Sequence, residues 1–338
     1  MDKLNTKDSR NKEVQEMIDD VKARVPVAKY GIKFLDDFLG GIYREDLTII
    51  TAMTGAGKTE FAYDIAFNHA WDKNVLLFAL EADAKEPVRR FYYKIVADLY
   101  YKERKKNPYM AESMEKLDMS YANFVNNIID LSAFEEEAKE IYSSKHKPKI
   151  VYYESNFDIN EFKKQLYNDG KEYDLIILDH LDYFDIDNNV TENSHMSNLM
   201  KELRNVNMTQ GTPIIAVSHL RKGMRSTLMP TMDDLMGSSN KSKLAKTIIT
   251  LAKAKDGYYN GTQQTYISVQ KNRIGSTGNI IASHTFDTRT NKYDDDYLLH
   301  IYNGYEDSVT GLDKHDYPSW TKKRKPEQKG IPLKVVET

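Results

Sequence analysis

The residues best placed to do chemistry in this 338-residue chain stand at the ends of apolar runs. The first group closes Ala52-Met-Thr-Gly-Ala-Gly-Lys-Thr59, which reads A-x-x-x-x-G-K-T. Leu47 to Thr51, apolar and β-branched, predicts a buried strand before it, and Glu60 to Ala70 predicts a helix after it. Strand, loop and helix are the setting that a phosphate-binding loop requires. Backbone N–H groups of Gly55, Ala56 and Gly57 can wrap a phosphate chain at the positive end of a helix. Lys58 can reach the β- and γ-phosphates of a nucleotide such as ATP, and the Thr59 hydroxyl can ligate Mg²⁺. Thr54 and Glu60 complete the expected nucleotide-binding set.

Three further polar residues follow apolar runs: Glu81 after Asn74–Leu80, Asp179 after Asp174-Leu-Ile-Ile-Leu178, and His219 after Pro213–Ser218. In doubly wound sheets, function gathers at the C-terminal ends of the strands. Asp179 is therefore the expected Mg²⁺-shell carboxylate. Glu81 is expected to orient or deprotonate an attacking water. His219 is expected to touch the γ-phosphate and report its loss. Each has a plainer alternative: Glu81 as an exposed strand-end acid, His219 as a hydrogen-bonded structural residue, and Asp182 as a competing metal ligand.

The elements that must position these groups alternate β and α. That alternation predicts an α/β fold, a mostly parallel sheet with helices on both faces. Val14, Met17, Ile18 and Val21 mark an amphipathic helix over Glu13–Ala23. A helix this short is marginal alone and must dock, on its own domain or on a neighbouring subunit. Lys85–Tyr100 reads as a helix whose solvated side carries Arg89, Arg90 and Lys94. Ser197–Met208 reads as another, after a polar loop at 188–193. Thr247–Leu251 and Gln264–Gln270 read as strands, and Ile280–Thr288 as part of a late hairpin. From Tyr305 the chain is polar and reads as a mobile tail.

A net charge of −3 excludes a generally basic nucleic-acid binder but allows a local basic channel. The absence of cysteine excludes disulfides, a thiol nucleophile and Cys-ligated zinc. The sequence contains no run of 18 apolar residues and no signal peptide at its polar N-terminus, so the expectation is a cytoplasmic protein without a membrane partner.

Several segments taken in order carry a resemblance. They are Ala52–Thr59, Phe78-Ala-Leu-Glu81, Leu175-Ile-Ile-Leu-Asp179-His-Leu-Asp-Tyr183, Val217-Ser-His219-Leu220, Asp234-Leu-Met-Gly-Ser-Ser239 and Lys271-Asn-Arg273-Ile-Gly-Ser-Thr-Gly278. Together they resemble the helicase domain of the DnaB family, the hexameric replicative helicases within the RecA-like group. His219 followed by Leu220 looks like the phage primase–helicase branch, where His replaces the usual strand-end Gln. The resemblance covers about residues 26–303. It implies a tail and linker helix over 1–25, a RecA-like P-loop ATPase domain over 26–303 and a polar tail over 304–338.

The resemblance also implies roles. Lys271 and Arg273 match a K-x-R pair that reaches across a subunit interface to the neighbour's γ-phosphate, as an arginine finger. The helix at Glu13–Ala23 resembles the linker helix that docks on the adjacent subunit. Self-association into a hexameric ring follows, with ATP between subunits. The DNA-contacting loops correspond to 185–198 and 221–246. In the second, Arg221, Lys222, Arg225, Lys241 and Lys243, with Lys246, are expected to bind the phosphate backbone of single-stranded DNA with marked salt dependence. A primase or a helicase loader is an implied partner, and the bacterial cell interior the implied setting, with a phage or mobile element as a possible source. Ala52 departs from the usual first Gly, and Asn240–Lys246 is lysine-rich where acids are usual. Nothing precedes the linker, so the family's N-terminal collar and the phage primase half are expected to be absent. Tyr302 is a candidate for stacking on adenine. The reading is an ATP-driven, ring-forming helicase on single-stranded DNA in replication. The alternative is a RecA-like ATP-binding switch, assembly factor or recombinase that does not unwind.

Overall fold

The computed structural model describes residues 7–69, 73–106, 119–145, 147–153, 157–168, 170, 172–186, 190–220, 227–235, 238–275 and 277–321. One eleven-stranded sheet runs through them. Its parallel half has the order β6 (Thr247–Tyr259), β1 (Leu47–Ala52), β5 (Ile214–His219), β4 (Leu175–Asp179), β2 (Val75–Ala79), β3 (Lys149–Tyr152). Beyond β6 the sheet turns antiparallel through β7 (Thr262–Asn272), β8 (Ile280–Asp287), β10 (Leu298–Asn303) and β11 (Ser308–Gly311), while β9 (Lys292–Tyr293) pairs with β8.

The apolar runs become central strands because both faces of the sheet are covered. Along β2, Val75, Leu77 and Ala79 join one core cluster and Leu76 and Phe78 the other. Along β4, Leu175 and Ile177 divide from Ile176 and Leu178 in the same way, the period of two that strand geometry imposes. Helices Lys33–Leu39, Lys58–Asp64 and Glu86–Lys106 pack on the first face, and Ile159–Tyr167 and Glu192–Gln210 on the second. Each large side chain buried this way contributes about 1.5–3 kcal/mol.

Register decides which polar residues meet. Ala52 lies opposite His219 and Ala79 opposite Asp179, so the phosphate-binding loop, Glu81, Asp179 and His219 emerge at one edge of the sheet. β7 runs the other way. Its last residue, Asn272, lies opposite Thr247, which lies opposite Thr48 near the start of β1. Lys271 and Arg273 therefore sit at the opposite edge.

Several elements differ from the sequence expectation. β6 and β7 form a longer hairpin, closed by Asn260 and Gly261, both at positive φ, which suits the twist of a tight hairpin turn. The helix expected over Ser197–Met208 begins at Glu192, capped by Thr191, and so takes up part of the expected 185–198 loop. The segment expected to be a polar tail carries β11. It also brings Trp320 onto Phe34 and Phe38, with ring centroids 5.9 and 5.0 Å apart, so the fold extends at least to Thr321. The N-terminal helix spans Lys7–Ala23, and Val14, Met17 and Val21 on it are at least half exposed. Its C-terminal end is anchored by Arg24, which pairs with Glu45 at 2.7 Å and lies over the Tyr43 ring.

Candidate functional site

The loop after β1 opens a cleft of about 530 Å³, lined by Thr54, Gly55, Gly57, Lys58, Thr59 and Glu60, with Glu81, Arg90, Tyr121 and His219 opposite. Gly55 and Gly57 have φ of 77° and 88°, and a side chain at Gly55 would meet only open space. These glycines let the backbone turn its N–H groups toward a ligand. Lys58 folds its ammonium onto the carbonyls of Ala52 (3.0 Å) and Met53 (3.3 Å), and burial pushes its pKa down. The Glu60 carboxylate turns inward to Arg90 (3.0 Å) and Lys94 (2.5 Å), and Lys94 also meets Asp64. Lys94, expected on the solvated side of its helix, is 3% exposed and pins that helix to the one that follows the loop.

Asp179 is fully buried at the tip of β4. One oxygen accepts the Thr59 hydroxyl at 3.3 Å, the Tyr63 hydroxyl interacts with the same carboxylate, and Oδ2 makes no close hydrogen bond among the described residues. Burial raises its pKa to about 6 despite the neighbouring His180. A buried carboxylate with an unused oxygen beside a hydroxyl fits a divalent cation, so Thr59 and Asp179 suit Mg²⁺.

Asp182 is saturated by contrast. Lys241 lies 3.0 Å from Oδ1, the His219 backbone N–H donates to Oδ2 at 2.9 Å, and His180 Nδ1 is 3.5 Å away. Burial acts to raise its pKa, but the Lys241 ammonium and that N–H hold it well below the usual carboxylate range. Asp182 is thus a framework residue, not the competing metal ligand.

His180 connects the remaining groups. Its Nδ1 accepts the Asp182 backbone N–H at 3.2 Å, which places its ring proton on Nε2. That Nε2 lies 2.7 Å from His219 Nε2 and 3.3 Å from Glu81 Oε2. Ligand atoms of Glu81, His180 and His219 come within 4.8 Å of one another, with His180 Nε2 as the donor hydrogen-bonded to His219 and Glu81 at ion-pair distance beside it. Burial, then the neighbouring His180 and Lys58, lower the His219 pKa and favour its neutral form. Glu81 is half exposed at the cleft.

Residues 28–295 match the family model described as the DnaB-like helicase C terminal domain. The chain belongs to that family. It is 25% identical over 260 residues to the replicative DNA helicase DnaC of Bacillus subtilis, and 24% identical over 260 residues to the replicative DNA helicase DnaB of Geobacillus stearothermophilus. Each alignment covers 74% of this chain and 53% of the relative, so the chain spans about half the length of the curated relatives it matches. The fold is similar to the ATPase domain of G40P, with TM-score 0.66 and 19% identity over 86% of this chain and 99% of that one. It is also similar to a DnaB-like replicative helicase solved in a study of its interactions with primase, with TM-score 0.64 and 19% identity over 86% of this chain and 66% of that one.

In this DnaB-like domain the cations expected on the second DNA loop divide. Arg221, Lys222 and Arg225 lie outside the described residues. Lys243 is exposed on the short helix Ser238–Leu244. Lys241, on the same helix, is fully buried against Asp182 and Ser218 and is not a DNA-facing cation. Lys246 is also withdrawn, paired with Glu45 (3.0 Å) and Asp46 (2.8 Å). Lys271 donates to the carbonyls of Ser242, Lys243 (3.3 Å) and Ala245 (2.7 Å), and Arg273 to that of Lys243. Tyr302 bonds Asp307 beside a small separate core cluster and does not line the cleft. Sequence reasoning missed His180. Its signal was a second imidazole directly after the strand-end acid. Among the described residues, no helix is long and apolar enough to cross a membrane.

Proposed function

We propose that this chain is the ATP-hydrolysing motor of a ring-forming replicative helicase that moves on single-stranded DNA. One observation carries the reading. Lys58, Glu81, Asp179 and His219 stand at one edge of the sheet, and Lys271 and Arg273 at the other. The pair is out of reach of its own cleft, so it serves a nucleotide on a second copy of the chain. The exposed Val14, Met17 and Val21 supply a surface for the same assembly, an amphipathic helix laid into a neighbour's groove.

In the cleft, Lys58 exchanges its carbonyl partners for phosphate oxygens, and the loop N–H groups orient the phosphate chain. Thr59 and Asp179 would hold Mg²⁺, which when bound neutralises phosphate charge. Glu81, with its carboxylate 3.3 Å from His180 Nε2, orients the attacking water and takes its proton. His219, neutral and steered by His180, meets the γ-phosphate and registers its departure. Lys271 and Arg273 of one subunit stabilise charge at the next. Lys243 contributes backbone contacts to DNA. A primase and a helicase loader are proposed partners.

The test is ATP turnover with and without single-stranded DNA at two salt concentrations. Arg273→Ala is expected to bind ATP normally but lose about 10³-fold in turnover, the scale of an arginine finger. Mixing Lys58→Ala with Arg273→Ala chains should regain part of the activity, since each retains one half of a shared site. Normal hydrolysis by Arg273→Ala sinks the shared-site reading. A wild-type rate indifferent to DNA favours the switch or assembly factor.

A further inference from the structure

Lys241 stands in the connection between β5 and β6, on a seven-residue helix two residues from the exposed Lys243, yet its side chain is wholly inside the protein. A buried ammonium needs partners, and the groups facing it come from three elements. Asp182 Oδ1 follows β4 at 3.0 Å, Ser218 Oγ lies on β5 at 2.7 Å, and Glu192 stands at the start of the helix Glu192–Gln210. Two of these border the catalytic groups directly. Ser218 precedes His219. The second oxygen of Asp182 accepts the His219 backbone N–H, while its own N–H fixes the tautomer of His180. A continuous series of contacts therefore runs from Lys241 through Asp182 to both imidazoles and on to Glu81. At its C-terminal end the same helix and the residue after it offer the carbonyls that hold Lys271 and Arg273.

We infer that Lys241 is a positioning residue that locks the helix Ser238–Leu244 to His219, so that DNA engaging that helix resets the hydrolysis site. A simple stabilising pair needs only a buried acid. Here the acid is also the acceptor that sets the backbone of the γ-phosphate sensor. A shift of the helix would move Lys241 together with the carbonyls that hold Lys271 and Arg273. The inference rests on the single-stranded DNA translocase reading above.

The experiment titrates oligo-dT into full-length wild type, K241M and K243A, reading steady-state ATP turnover, with fluorescent-ATP affinity and melting measured on the same samples. K241M is expected to keep its ATP affinity and DNA-free turnover within about 3-fold, while its maximal DNA stimulation falls at least about 5-fold, the lower end of measured site-to-site couplings. K243A, exposed on the same helix, should need more DNA but reach the wild-type maximum. Wild-type stimulation of K241M overturns the inference. So does a K241M chain that loses ATP affinity and turnover in equal proportion with and without DNA, because Lys241 is then a stability residue only. Wild type that ignores DNA overturns the translocase reading itself, before any variant is considered.

Discussion

Asp179 and Asp182 stand three residues apart on either side of the same turn, both buried, and they are opposites. Asp179 has an oxygen that makes no close hydrogen bond among the described residues and a pKa raised by burial to about 6. Asp182 has an ammonium and a backbone N–H against it and is held ionised. Residue type does not divide them. What divides them is the next layer: β4 delivers Asp179 to the phosphate loop, where its partner is to come from outside, and the turn delivers Asp182 to Lys241. An unsatisfied buried carboxylate marks a place for a cation, and a satisfied one marks framework.

Breaking each carboxylate in turn tests that contrast. The largest effect is expected for Asp182→Asn, which leaves Lys241 inside the protein without its counter-charge. Breaking one side of a buried pair costs about 3–5 kcal/mol, readable as a lower midpoint in denaturant unfolding. Asp179→Asn should do the reverse to stability in metal-free buffer, because a desolvated charge is removed while the amide oxygen can still accept from Thr59. Its cost falls on activity: turnover is expected to drop at least about 100-fold, equivalent to about 2.7 kcal/mol in the barrier. If Asp182→Asn left the fold as stable as wild type, or Asp179→Asn destabilised it, the assignment of roles would be reversed.

The smallest effect is in pH. Between 3.8 and about 6 the native Asp179 keeps a proton that the unfolded chain has lost, so its contribution makes the metal-free protein less stable as pH rises through that window. Asp182 acts with the opposite sign. Its contribution is present above the ordinary carboxylate range and is lost as pH falls toward its depressed value. Comparing melting curves of wild type and Asp179→Asn across this range in chelator isolates the first slope, which the variant should lack. An unchanged slope in the variant would place the titration elsewhere.

The phosphate loop, the buried strands and the strand-end polar residues were legible because their signals are local. A β-branched run, a glycine turn and a helix carry their meaning within about a dozen residues. Lys241 was not legible. In a polar stretch with Lys243 and Lys246 it reads as another solvated cation, and the acid that buries it lies 59 residues away in sequence. Lys94 misled for the same reason, since its partners Glu60 and Asp64 sit on a different helix. The end of the fold was misjudged because β11 is short and polar, and Trp320 finds its aromatic partners almost the whole length of the chain away.

By itself, then, the sequence determined the chemistry on offer: a loop that can cradle phosphate, carboxylates and an imidazole after apolar strands, and a late Lys-x-Arg pair. Only the tertiary structure decided their pairing. Parallel register gathers one set at a single edge, and the reversal of β7 carries the other set to the far edge. The same folding leaves one aspartate suited to a cation and makes its neighbour a strut. Covalent neighbours fix which groups a strand can present. Burial and long-range partners fix which of those groups remain free to react.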